Sequence, residues 1–233
     1  MCQSSLCQTN QLLVGCADPD NPLDYLLKTD DDGNYKIRVT FMEVNQGLLS
    51  VPECNQVIDI LNNAFGTLSG ILFIWDRKIE VYSSSSHDLY HTININVNST
   101  PFAGGAAISI PGTRITISKD VLFSPVIVHE MGHCLGLLHV HNSSNGDGNT
   151  VTPTCEEFVI PSDTDNCIEC GDCICQTNAI SKLNANVSLD SDGNCVYSNT
   201  DADSVPNVYQ PNENTWKNYM SYSNSPIFAF HCQ

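Results

Sequence analysis

An α+β fold in two lobes is what this sequence predicts, and three observations predict it. Up to about residue 138 short alternating segments are interleaved with two helical ones. Beyond that point periodicity collapses into a stretch rich in Asn, Asp, Ser and Gly. Seven of the twelve cysteines fall in that second part, at Cys155, Cys167, Cys170, Cys173, Cys175, Cys195 and Cys232. The order strand–helix–strand–strand–strand–helix implies a twisted mixed sheet with a backing helix and a second helix, followed by an irregular cross-linked lobe across a cleft.

Residues 1–34 are polar, turn-rich and acidic, end in Asp30-Asp31-Asp32-Gly33-Asn34, and read as a leader or surface arm. The main domain is expected over 35–233, with an upper lobe of about 35–138 and a lower lobe of about 139–233. Tyr35 to Val44 alternates, with Ile37, Val39 and Phe41 on one face, and reads as a strand. Ser50 and Pro52 make a cap-and-Pro start, after which Val57, Ile58, Leu61, Ala64 and Phe65 recur at helical spacing. Ile71 to Trp75 and Thr92 to Val97 are two further strands. Gly104 to Ile108 and Arg114 to Ser118 are two more, split by Pro111-Gly112, and Ser83–Ser86 is a loop. Ser124-Pro125 opens the second helix, and the apolar run Val126, Ile127, Val128 marks it as mostly buried.

Bulk composition excludes some functions. Nine Lys and Arg stand against 26 Asp and Glu, a formal net charge of −17. That field repels phosphate backbones and anionic lipid, so neither nucleic acid nor membrane is expected as a partner. It favours cationic substrates or Ca²⁺, although solubility alone is explanation enough. No apolar run approaches the length of a membrane span. The cysteine count fits disulfides formed in an oxidising compartment; a thiolate metal site at Cys167-x-x-Cys170-x-x-Cys173-x-Cys175 is the competing reading. Sequons at Asn98, Asn142 and Asn186 are compatible with a secreted, extracellular protein. Met1-Cys2-Gln3-Ser4 lacks the basic flank and apolar run of a secretory signal, which suits a processed or excised domain.

The chemistry concentrates in the second helix. His129 and His133 are four apart, so on a helix they project from one face and can grip one Zn²⁺. Glu130, beside the first of them, is suited to handle the proton of a zinc-activated water. Gly136 lets the backbone leave the helix in a conformation that residues with a Cβ avoid, returning His139 toward the same metal. Three neutral imidazoles leave the ion's charge unquenched, the condition for lowering the pKa of water to about 7. His141 is two residues past the third ligand and reads as a surface residue or one that supports a ligand. His87, His91 and His231 lack ligand spacing and read as solvated or structural.

This His-Glu-x-x-His-x-x-Gly-x-x-His run resembles the zinc signature of the metzincin peptidases. Downstream, Asn218-Tyr219-Met220-Ser221-Tyr222 resembles their methionine turn, although Met220 alone would read as a gap-filling core residue. Within the metzincins, residues 35–233 are most similar to the pappalysin (cytophagalysin-like) branch. Gly104-Gly105-Ala106-Ala107 looks like that branch's edge strand, which pairs with an extended substrate. Gly171-Asp172-Cys173-Ile174-Cys175-Gln176-Thr177 is similar to its Gly-Asp-x-x-Cys-Asp-Thr-Pro stretch, with Gln176 and Asn178 standing where the family has Asp and Pro. Phe228 to Gln233 looks like its Phe-Thr-x-Gly-Gln. Val140 stands where astacins prefer Glu and adamalysins prefer Asp, so those branches fit less well, although His-Glu-Met-Gly-His itself is similar to adamalysins.

The resemblance implies a metzincin-like fold and a zinc endopeptidase acting on a protein or peptide substrate. His129, His133 and His139 would be its ligands, Glu130 its general base, and Tyr222 a tyrosine that assists the oxyanion or simply packs in the lower lobe. A structural Ca²⁺ is a second possible cofactor, while Asp190-Ser191-Asp192-Gly193-Asn194 reads either as a Ca²⁺ loop or as an Asx-rich turn. Cys7 or Cys16 could hold the site latent through a thiolate on zinc or could form disulfides. Ser223 to Phe228 carries no acid, so no preference for basic residues is predicted. The alternative from another class is a zinc-bearing binding module that does not cleave.

Overall fold

The computed structural model describes residues 28–29, 35–66, 70–82, 91–99, 104–141, 155–159, 166–175, 177–180, 187–189, 191, 195–197, 208–209 and 218–221. The chain divides into two compact units, Ala17–Gly136 and, together with Met1–Cys16, Leu137–Gln233.

The first unit is a seven-stranded mixed sheet. Its strands are β1 (Lys28–Thr29), β2 (Tyr35–Glu43), β3 (Ile71–Ile74), β4 (Ile79–Val81), β5 (Ile93–Asn98), β6 (Gly105–Ala107) and β7 (Arg114–Ser118). The long central β2 pairs in parallel with β3 from Tyr35↔Ile71 to Arg38↔Ile74, with β4 from Phe41↔Ile79, and with β5 from Val39↔Ile93. β7 continues the parallel set against β5, and β6 lies antiparallel on β7 with Ala106 opposite Thr116. β1 is antiparallel to the start of β2, so the last described part of the expected arm joins the sheet.

Parallel neighbours need a crossover, and helix α1 (Val51–Leu61) makes the one from β2 to β3. Its start is fixed by Glu53, whose carboxylate accepts the Ser50 N–H at 2.8 Å and the Ser50 hydroxyl at 2.7 Å. Lys119 reaches the same carboxylate at 2.6 Å and holds it below the usual carboxylate range. Cys54, Val57, Ile58 and Leu61 are the buried face of α1. The expected helical run through Phe65 is present, but after Leu61 the α-helix widens into a π-turn over Asn62–Gly66, where Ala64 and Phe65 are half-buried. The physical reason lies in Asn62: its Nδ2 donates to the Phe73 carbonyl at 3.1 Å and its Oδ1 accepts the Phe73 N–H at 2.7 Å, drawing this turn onto β3.

One sheet face supplies Ile37, Val39, Phe41, Ile93, Ile95, Val97, Ile115 and Ile117 to the core, at the strand period of two. Against it pack α1 and α2 (Pro125–Cys134), the latter through Ile127, Val128, Met131 and Cys134. The opposite face is buried and polar in the middle. Asn94 is fully buried there, and its Nδ2 lies 3.3 Å from the carbonyls of Thr92 and Thr113. The sequon asparagine Asn98 ends β5 with its Oδ1 buried, a poor setting for a bulky glycan.

The second unit is cross-linked, as its composition predicts. Cys155–Cys170 and Cys167–Cys175 are disulfides, and Cys173 is also disulfide-bonded. Those bonds remove the four-thiolate metal site as a reading of Cys167 to Cys175. Around the knot, Tyr209 is buried and donates its hydroxyl to Glu156 at 2.7 Å. Asp172 closes the next turn by accepting the Ile174 N–H at 2.9 Å and the Thr177 hydroxyl at 2.7 Å. This half is not wholly irregular: β8 (Val187–Leu189) and β9 (Cys195–Tyr197) form an antiparallel hairpin, so the Asx-rich 190–194 segment joins two paired strands. No helix among the described residues is long and apolar enough to cross a membrane.

Candidate metal centre

The metal-binding geometry starts from how α2 begins. The Ser124 hydroxyl accepts the Val126 N–H at 3.2 Å and donates to the Val121 carbonyl at 2.7 Å, while Pro125 occupies the first turn, where no N–H partner is needed. From Ile127 to Cys134 every residue is buried. A helix interior to the protein can be apolar all round; His129, Glu130 and His133 break that rule, and ionisable groups kept out of water need a role or a partner.

The two helical histidines converge. Their Nε2 atoms are 3.1 Å apart and their rings stand at 85°. The helix then stops: Gly136 donates to the His133 carbonyl at 3.0 Å and takes φ +95°, in the left-handed region that glycine favours. Three residues later comes His139, half-buried, and one ring nitrogen from each of His129, His133 and His139 lies within 4.8 Å of the others. The donor set suits a borderline-soft divalent ion. Tetrahedral Zn²⁺ with bonds of about 2.0–2.1 Å separates its ligand atoms by roughly 3.3 Å, close to the His129–His133 spacing. These three histidines are close enough to hold one metal ion.

Glu130 sits beside them at 6 % exposure, and burial pushes its carboxyl up to about 7 against the opposing hydrogen bond from Ala107. That bond, Ala107 N–H to Glu130 Oε2 at 2.7 Å, joins α2 to β6. Gly105 makes the approach possible: a Cβ there would stand 2.8 Å from Glu130 Cγ and 2.9 Å from Val126 Cγ1. The other end of α2 is tied down too, because the Gly112 N–H donates to the Cys134 carbonyl at 3.1 Å.

Met220 is buried in a tight turn. Asn218 shapes it by accepting the Met220 N–H on its side chain and the Ser221 N–H on its carbonyl, both at 2.9 Å. The Met220 carbonyl accepts the Val140 N–H at 3.2 Å, which ties the turn to the residue after His139. Of the two readings of His141 the structure favours the one beside a candidate ligand over the surface one: it is 1 % exposed with its ring stacked on His139 at 4.8 Å and 8°. Spacing pointed at His139 rather than His141 as a ligand, but nothing in the sequence announced that the second ring would cover the first.

Of the remaining candidates, His91 is exposed at the start of β5 with φ +61° and belongs to no metal-holding group among the described residues. Tyr222, His87, His231, Cys7 and Cys16 lie outside the described residues, as does most of Asp190–Asn194. In the Gly171–Thr177 stretch, burial raises the Asp172 carboxyl to about 6. The Ala107–Glu130 and Val140–Met220 bonds join residues too far apart in sequence for spacing to announce them, and the paired Gly104-Gly105 was the one local sign of the first. Neither a protein-family model nor a curated protein matches the chain.

Proposed function

We propose that this chain is a zinc-dependent endopeptidase of the metzincin kind, most similar to the pappalysin branch, working on protein or peptide substrates outside the cell. The observation that carries the reading is the convergence of three imidazoles, two of them on the helix that also carries the buried Glu130 carboxyl, a group that type of chemistry can use as a base. His129, His133 and His139 would hold the ion, and as neutral ligands they would leave its charge available. A Zn²⁺ held there would supply the Lewis acidity that acidifies water and polarises the scissile carbonyl. Glu130 takes the proton of the attacking water as its oxygen bonds to the carbonyl carbon. It delivers that proton to the leaving nitrogen as the C–N bond breaks. Tyr222, two residues past Met220, is assigned to the developing oxyanion. Met220 shapes the site without ligating, and Gly136 fixes the bend that presents His139.

Casein cleavage by the wild type beside Glu130→Ala, each with and without a chelator, tests the reading. The variant is expected to keep one zinc per chain by elemental analysis and to lose activity by at least about 10²-fold, the low end of what a positioned general base contributes. The chelator should abolish wild-type cleavage. Cleavage that survives Glu130→Ala removes the proposed base. A zinc-loaded wild type that cuts nothing points instead to a metal-bearing module that only binds.

A further inference from the structure

Strand β6 carries a feature that ordinary sheet geometry makes legible. In an antiparallel pair, successive residues turn their N–H and C=O groups alternately toward the neighbouring strand and away from it. Ser118 donates to Gly104 at 3.3 Å and Ile108 to Arg114 at 3.1 Å, so Gly104, Ala106 and Ile108 are the residues that face β7. Gly105 and Ala107 therefore face outward, and among the described residues β6 pairs with β7 alone. An outward N–H on an edge strand is the donor that an added strand would use. Here the Ala107 N–H is taken by Glu130 Oε2 at 2.7 Å. The bond depends on Gly105, since any Cβ at that position would meet Glu130 Cγ at 2.8 Å.

From this geometry we infer that the Ala107 N–H is a positioning group that parks the Glu130 carboxylate in the resting site, and that an extended peptide adding to the β6 edge displaces it. The peptide's carbonyl takes over the Ala107 N–H, and Glu130 is released to act on water. Strand addition and release of the base are then one event, because a single donor cannot serve both acceptors fully. A resting site without substrate keeps its base engaged with the backbone. The resting bond stands on the structure alone, whereas the displacement rests on the endopeptidase reading.

Amide hydrogen exchange at Ala107, followed by NMR, tests the resting bond in the full chain. Wild type and Glu130→Gln, both of which offer an acceptor oxygen, are expected to protect this edge amide. Glu130→Ala should exchange it about tenfold faster or more, the scale of losing a charge-assisted bond. Gly105→Ala should speed exchange with Glu130 intact, by holding the helix off the strand. The displacement is tested with a ten-residue peptide spanning a casein bond that the wild type cuts, titrated into the two Glu130 variants. Glu130→Ala, having no competitor for the donor, should bind it about fivefold tighter than Glu130→Gln and recover Ala107 protection on binding. Exchange at Ala107 indifferent to Glu130→Ala overturns the parking bond. Equal peptide affinity in the two variants overturns the displacement. A wild type that cuts no bond in casein sinks the endopeptidase reading and the displacement with it, while the exchange measurement still decides the bond.

Discussion

Asp172 and Glu130 are carboxylates that folding has taken out of water, and both are satisfied by neutral donors rather than by a cation. For Asp172 the consequence can be worked out with its sign. Burial raises its carboxyl from 3.8 to about 6, so between those values the folded chain holds a proton that the unfolded chain has released. The stability this adds is fully present below about pH 4 and is lost as pH rises through 6; a shift of about two units corresponds to on the order of 3 kcal/mol. Urea melts at pH 4.5 and pH 7 should therefore show wild type gaining stability in acid relative to Asp172→Asn. A pH dependence identical in the two proteins would refute the assignment. The residue scale also explains why the group that could hold a metal was readable at all. His129, Glu130, His133, Gly136 and His139 sit within one helical turn and the bend after it, so spacing alone brings them together. Ala107, 23 positions before Glu130, reaches it only through the fold.

At the scale of elements, two asparagines, one on α1 and one in the π-turn after it, tie this helical segment to β3 and the residue that follows it. Asn62 satisfies both backbone groups of Phe73, and Asn55 accepts the Trp75 indole N–H at 3.1 Å. Asn62→Ala would leave the amide and carbonyl of the buried Phe73 without these partners, at a cost of about 1–3 kcal/mol. Chemical denaturation measures it; a change under about 0.5 kcal/mol would mean that water replaces the amide. The elements that could be read from the sequence are those with a local signal. Ser50-Pro52 and Ser124-Pro125 marked the starts of α1 and α2, alternation marked β2, and the strands expected over Thr92–Val97 and Arg114–Ser118 lie close to the observed bounds of β5 and β7. β1 and β4 span two and three residues, too few to alternate, and pair only because β2 is long enough to template them. The β8–β9 hairpin is short and set in a polar stretch whose turn-forming residues mask its two apolar ends. The π-turn after Leu61 keeps helical spacing in sequence, so only the pull of Asn62 toward β3 reveals it.

Across the whole molecule, a net charge of −17 means that a bound divalent cation relieves some self-repulsion besides filling its ligands. Because the folded chain assembles the three histidines and the unfolded chain does not, zinc at about 100 times its Kd should add about 2.7 kcal/mol to stability. In a chain of this size that is a rise of roughly 5–10 °C in Tm, checked by thermal melts with zinc and with chelator. Coincident melts would argue that the imidazoles do not share an ion. That disulfides cross-link the second unit followed from composition, whereas the pairing of particular sulfurs did not, since many connectivities fit one cysteine count. A further consequence concerns the two cysteines that are free thiols among the described residues. Cys54 on α1 and Cys134 on α2 are buried as free thiols, each pushed up to about 12 by burial. Neither should react with an aromatic disulfide reagent while the helices remain docked on the sheet. Their modification rate in native buffer is thus a built-in clock, ticking once for each excursion that bares the interior of Ala17–Gly136 and blind to fluctuations elsewhere.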